Sequence, residues 1–166
     1  MLGLGGSAWL QALHSLKTGT PPRCDLEKEK ELHSALRALI YSGSIKSAHD
    51  CSEGGLAVCL AECCISQHLA RETPRLIGAT IDLSSFGDLH PDALLFGESQ
   101  SRIVISTAAF DGVKVVERAK LLGITATRIG TIGGQTLSLK TANAEYTWPI
   151  TELHDLWWNA IARAMA

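Results

Sequence analysis

The run from Leu56 to His68 is apolar on nearly every side of a helical wheel. Leu56, Cys59, Leu60, Cys63 and Cys64 fall on one side, and Ala57, Ala61 and Ile65 on the other. A helix with that pattern packs on more than one face, so the rest of the chain is expected to fold around it. It is preceded by a short strand, Ile45 to His49, and by the turn Asp50-Cys51-Ser52-Glu53-Gly54-Gly55. Two glycines in a first helical turn cost about 1 kcal/mol each relative to alanine. Their presence predicts a close approach by something else. A strand end running into a helix N-terminus aims backbone N–H groups and the positive end of the helix dipole at one place. Asp50, Ser52, Gly54 and Gly55 are therefore candidates for binding a phosphate or a carboxylate. The competing reading is a tight turn packed on a neighbouring strand, with Asp50 or Ser52 capping the helix. His49 and Asp50 are adjacent in a strand and point to opposite faces, so position alone does not make them an acid–base pair.

The other elements follow from periodicity and punctuation. Residues 1–16 form a glycine-rich opening and a short helix, and Pro21-Pro22 then interrupts the chain. Asp25 is placed to cap a helix that runs to about Tyr41, with Leu32, Ala35, Leu36, Leu39 and Ile40 on one stripe and Gly43 at its end. Leu76 to Leu83 reads as a strand and Pro91 to Leu95 as a helical turn. The strand Arg102 to Thr107 has a continuous apolar centre and is expected inside the sheet. Asp111 is expected to cap a helix carrying Val115, Val116, Ala119 and Leu122. Ile124 to Ile132 and Thr136 to Lys140 read as two strands joined by a Gly133-Gly134 hairpin. A last helix places Leu153, Leu156, Trp157, Ala160, Ile161 and Ala164 on one face. The layout predicts an α+β fold, a mixed β-sheet covered by helices, in one domain over residues 1–166.

A second candidate site is Gly97-Glu98-Ser99-Gln100-Ser101-Arg102. Glu98, Ser99 and Gln100 could bond a polar substrate, and Arg102 could meet a phosphate or carboxylate. The competing reading is a solvated turn held by a Glu98–Arg102 ion pair. His49, Cys51, Cys59, Cys63, Cys64 and His68 cluster in sequence, but no C-x-x-C pair is formed and the helix is otherwise apolar, so no metal site is expected. Five cysteines, odd in number, do not suggest a disulfide framework; they fit reduced thiols in a cytoplasmic protein. With 15 basic and 17 acidic side chains and no basic stripe, neither nucleic acid nor a membrane surface is an expected partner. No P-loop, Gly-x-Ser-x-Gly elbow or His-Glu-x-x-His helix is present, and no complete catalytic set is visible.

The stretch Ser47-Ala48-His49-Asp50-Cys51-Ser52-Glu53-Gly54-Gly55-Leu56-Ala57-Val58-Cys59-Leu60-Ala61-Glu62 resembles the long signature of the phosphoribosylformylglycinamidine synthase family. Leu95-Phe96-Gly97-Glu98-Ser99-Gln100-Ser101-Arg102 resembles a second signature of that family, and Gly3-Leu4-Gly5-Gly6-Ser7 its glycine-rich opening. The resemblance implies the C-terminal-type domain of the enzyme's second half, similar in fold to the C-terminal domain of aminoimidazole ribonucleotide synthetase. It implies that the ATP-binding N-terminal-type domain is not in this chain, so that Met1 lies inside a longer parent. The family ligase converts formylglycinamide ribonucleotide, ATP and glutamine-derived ammonia to formylglycinamidine ribonucleotide, ADP and phosphate. The implied cofactors are ATP and Mg²⁺ in the full-length enzyme, with none held tightly by this chain alone. The implied partners are the N-terminal remainder of the synthase, a glutaminase subunit or fused domain, and formylglycinamide ribonucleotide. Glu98, Ser99 and Gln100 would touch substrate or line a pseudo-symmetric structural nucleotide site. An aminoimidazole ribonucleotide synthetase or selenophosphate synthetase is the nearest alternative, disfavoured by the Leu95–Arg102 stretch; a small-molecule-binding regulatory module is a more distant one.

Overall fold

The computed structural model describes residues 3–65, 76–87 and 89–166. The chain divides into two compact units, Met1–Cys59 with Asp92–Arg128, and Leu60–Pro91 with Ile129–Ala166.

In the first unit, α1 (Ala8–His14) is capped by Ser7, whose hydroxyl oxygen accepts from the Leu10 N–H at 3.4 Å. The second helix, α2 (Leu26–Tyr41), has the expected Asp25 cap, whose carboxylate accepts from the Glu27 and Lys28 N–H groups at 3.2 and 3.3 Å. Glu27 and Glu29 in its first turn favour the positive end of its dipole. Ala35 and Leu39 are the residues it buries. The strand β1 (Ser47–Asp50) pairs antiparallel with β3 (Ile103–Ser106), in register from Ser47 opposite Ser106 to Asp50 opposite Ile103. Among the described residues β3 has β1 as its sole strand neighbour and is half-buried throughout, which corrects the expectation of an interior strand. Ile103, Val104 and Ile105 are β-branched and suit any pleated surface; such a run does not report how many neighbours the strand has. The helix α5 (Gly112–Leu121) buries Val115 and Ala119. Asp111 stands at its N-cap, as expected, but its side chain makes no capping bond; it ends a 3₁₀ turn over Ala109–Asp111, and its carboxylate pairs with Lys114 at 3.4 Å.

The buried helix is α3 (Gly55–Ile65), with Cys59, Leu60, Cys64 and Ile65 all buried. Its expected extension to His68 lies outside the described residues. A short helix, α4 (Pro91–Phe96), buries Leu94 and Leu95.

The second unit holds a four-stranded mixed sheet of β2 (Ala79–Asp82), β4 (Gly130–Ile132), β5 (Thr136–Lys140) and β6 (Glu145–Pro149), in the order β4-β2-β5-β6. The β2–β5 pair is parallel and the other two pairs are antiparallel. The expected Gly133-Gly134 hairpin is therefore not formed, because β2 lies between β4 and β5. The glycine pair instead crosses the start of β2: the Gly133 N–H donates to Gly78 O at 2.8 Å and the Gly78 N–H to Gly134 O at 3.0 Å. A Cβ on Gly78 would sit 2.4 Å from Thr136 O, so no other residue fits that crossing. The tight hairpin joins β5 to β6 through Thr141–Ala144, where the Thr141 N–H donates to Ala144 O at 2.8 Å. The strand β6, not expected from the sequence, lies at the sheet edge, and its last residue, Pro149, cannot donate to a ladder.

Leu83, Leu137, Leu139 and Ile150 are essentially inaccessible to solvent and form the centre of this unit's core. The expected last helix is broken at Asn159 into α6 (Ile150–Trp158) and α7 (Ala160–Ala164). Its apolar stripe is not buried: Leu156, Trp157 and Ile161 are exposed, as is Trp158 beside them, and Ile150 is the residue that α6 buries.

Candidate functional site

Both candidate segments lie in the first unit, and backbone contacts bring them together. The 50–55 turn is built on two left-handed glycines, with φ of +79° at Gly54 and +72° at Gly55. A Cβ on Gly55 would lie 2.8 Å from Gly97 O and 2.9 Å from Leu95 O. That glycine is required by the close approach of the 95–97 backbone, so the packed-turn reading of the pair accounts for Gly55. The Gly54 N–H donates to Glu98 Oε1 at 2.9 Å.

Glu98 also ties in the glycine-rich opening. The same Oε1 accepts from the Ala8 N–H at 2.8 Å, and the Glu98 N–H donates to Gly3 O at 2.8 Å. Gly3 has φ of +85°, and a Cβ there would lie 2.6 Å from Ser99 Oγ. The three family-like segments therefore meet at Glu98. The role of residues 3–8 as a third wall of this cluster was not read from spacing; its glycines were the available signal.

The expected Glu98–Arg102 ion pair is replaced by bonds to backbone. The Arg102 guanidinium donates to Ser99 O at 3.2 Å and to Gly97 O, closing the 97–102 loop on itself. Ser101 takes a left-handed φ of +62° there, and its hydroxyl donates to Glu29 Oε1 at 2.7 Å, a contact outside the sequence-based set. Glu98, Ser99 and Arg102 are half-buried and Gln100 is exposed.

Asp50 and Ser52 are exposed neighbours. The Ser52 hydroxyl donates to the Asp50 carboxylate, which holds that carboxyl below its ordinary range. The turn is closed by backbone, the Gly55 N–H donating to Ser52 O at 3.1 Å. His49 Nδ1 lies 2.8 Å from Asp50 O. These contacts leave Asp50, Ser52 and Gln100 exposed on the surface of the cluster, with Ser99 half-buried beside Gln100. Glu98 and Arg102 are turned into the cluster.

The cysteines are free thiols, with Cys51, Cys59 and Cys64 buried and Cys24 and Cys63 exposed. Burial, helped by neighbouring Cys63, pushes the Cys64 thiol up to about 11. Among the described residues no group of three His, Cys, Asp or Glu side chains is placed to hold a metal ion, and no helix is long and apolar enough to cross a membrane. His68 lies outside the described residues.

The chain matches the family described as AIR synthase related protein, C-terminal domain, over residues 2–140, a span that includes all three segments meeting at Glu98. It belongs to that family. Within it the similarity narrows further. The phosphoribosylformylglycinamidine synthase subunit PurL of Moorella thermoacetica is 38% identical over 164 residues, which is 98% of this chain and 21% of the relative. The crystal structure of phosphoribosylformylglycinamidine synthase II from Thermotoga maritima superposes with a TM-score of 0.66 at 19% identity, covering 92% of this chain and 24% of that one. A structure of T. maritima PurL complexed with FGAR matches with a TM-score of 0.60 at 21% identity, over 76% of this chain and 21% of that one. These likenesses bear out the α+β fold. The chain spans about a fifth of the length of the curated relatives it matches.

Proposed function

We propose that this chain is the C-terminal-type domain of the second half of a PurL-type synthase, and that both compact units belong to that one domain. The observation that carries the reading is the 38% identity to a PurL subunit over 98% of this chain and only 21% of the relative. The family match supports a single domain, since residues 2–140 run through both units. The parent reaction is the ATP-dependent conversion of formylglycinamide ribonucleotide and glutamine-derived ammonia to formylglycinamidine ribonucleotide, ADP and phosphate. T. maritima PurL has been solved with FGAR and with ATP, and as part of PurLQS. A glutaminase partner and the N-terminal remainder of the synthase complete the enzyme, and its setting is the cytoplasm.

This domain's share of the work is to supply a wall of the ligand cleft. Ser99 and Gln100 stand on a loop that Arg102 closes, and Asp50 and Ser52 stand on a turn fixed by Gly54 and Gly55. Hydroxyl, amide and carboxylate groups of that kind suit a ribose or amide substrate.

Gly54 is a poor probe, because it is left-handed and a substitution there would strain the turn. Exposed Gln100 is the cleaner probe. In the parent synthase, Gln100→Ala is expected to raise KM for formylglycinamide ribonucleotide or ATP about tenfold, a loss of about 1.4 kcal/mol, with the melting temperature unchanged. Unchanged KM values for both would remove the 97–102 loop from the cleft wall.

A further inference from the structure

We propose that Glu98 is a positioning residue, a built-in anion that fills the space between two glycine-rich turns and sets their spacing, and that it does not contact ligand. The geometry is that of an anion nest with its anion supplied by the chain. Two backbone N–H groups far apart in sequence, those of Ala8 and Gly54, converge on one carboxylate oxygen at 2.8 and 2.9 Å. Bonds from backbone N–H to an ionised oxygen are shorter and stronger than neutral ones. The Glu98 N–H is engaged too, on Gly3 O at 2.8 Å, so the residue is held at both ends of its side chain.

The surrounding loop keeps it there. Arg102 does not compete for the carboxylate; it closes the 97–102 loop onto Gly97 O and Ser99 O. On the other side, Gly55 lets the 95–97 backbone come within a distance that a Cβ would forbid. The Gly54 amide, which the bare sequence offers to a phosphate, is already bonded to Glu98. A bound phosphate would have to displace a covalently tethered carboxylate whose effective concentration at this place is high. Ligand contact from this segment therefore falls to Ser99 and Gln100. This refines the cleft wall proposed above, but its test uses neither ATP nor formylglycinamide ribonucleotide, so it stands or falls apart from that reading.

The test is anion rescue of the 166-residue chain. Glu98→Ala leaves two N–H groups without their acceptor, and its melting temperature is expected to fall by about 5 °C. Sodium formate, a carboxylate small enough to replace the lost group, should restore at least half of that drop relative to sodium chloride at equal ionic strength. It should do nothing to the wild type. Glu98→Gln, whose amide oxygen can accept both N–H groups, should lose less than half as much as Glu98→Ala and show no formate response. A carboxylate that merely packs would give a drop with no formate selectivity and equal losses in both variants; that result, or no drop at all, overturns the proposal. If Glu98→Ala does not fold, amide exchange in the wild type decides. The Ala8 and Gly54 amides should exchange at least about 100-fold slower than their intrinsic rates. Unprotected amides there would overturn it.

Discussion

At the residue scale, the left-handed glycines separate into those that fill a backbone need and those that also fill a packing need. Gly43 follows α2 with φ of +68° and open space around its Cβ position, whereas Gly55 combines φ of +72° with backbone oxygens 2.8 and 2.9 Å from that position. Gly43→Ala should cost about 1 kcal/mol, the left-handed penalty alone. Gly55→Ala should cost about 3 kcal/mol, because the 95–97 backbone must also move. Urea denaturation of both variants measures this; equal losses would mean that the approach of residues 95–97 is not tight. Cys64 gives a pH-dependent prediction. Its folded pKa is raised from 9.0 to about 11, so the fold favours the neutral thiol. That contribution is complete below about pH 9 and is lost as pH rises through the folded value. The difference in stability between wild type and Cys64→Ala should therefore shrink between pH 9 and pH 11. A constant difference would show that the thiol is not held neutral. The glycine pair was legible in the sequence as a special turn. What it approaches was not, because the 95–97 backbone is about forty residues away and no local pattern encodes that meeting.

At the scale of elements, the strands were easier to find than to pair. β2, β3 and β5 were all readable from apolar runs, and α2 from its stripe and its Asp25 cap. Pairing failed at Gly133-Gly134, where two glycines between apolar runs imitate a hairpin turn. The real determinant is Gly78, whose missing Cβ lets the connection pass over the start of β2 with Thr136 O only 2.4 Å from where that atom would be. NMR cross-peaks should accordingly link β2 to both β4 and β5, with Thr80 beside Thr131 and beside Ser138. Direct backbone cross-peaks between β4 and β5 would restore the hairpin and contradict the sheet order. The last helix shows the same limit: its apolar stripe is real in periodicity, yet Trp157 and Ile161 remain exposed. Periodicity states which residues share a face, and says nothing about whether a partner covers it.

At the scale of the whole molecule, we propose that this chain is a required but non-autonomous part of a ligase. The signature stretches at 47–62 and 95–102 made the family legible from sequence. They could not show that a side chain inside the second stretch, Glu98, is bonded to the first stretch and to the glycine opening. The direct measurement is a ligase assay with ammonia, ATP and formylglycinamide ribonucleotide on three samples: this chain, the remainder of its parent synthase, and the two mixed. A required, non-autonomous domain gives product only from the mixture. Product from the chain alone, or full activity from the remainder alone, would contradict it.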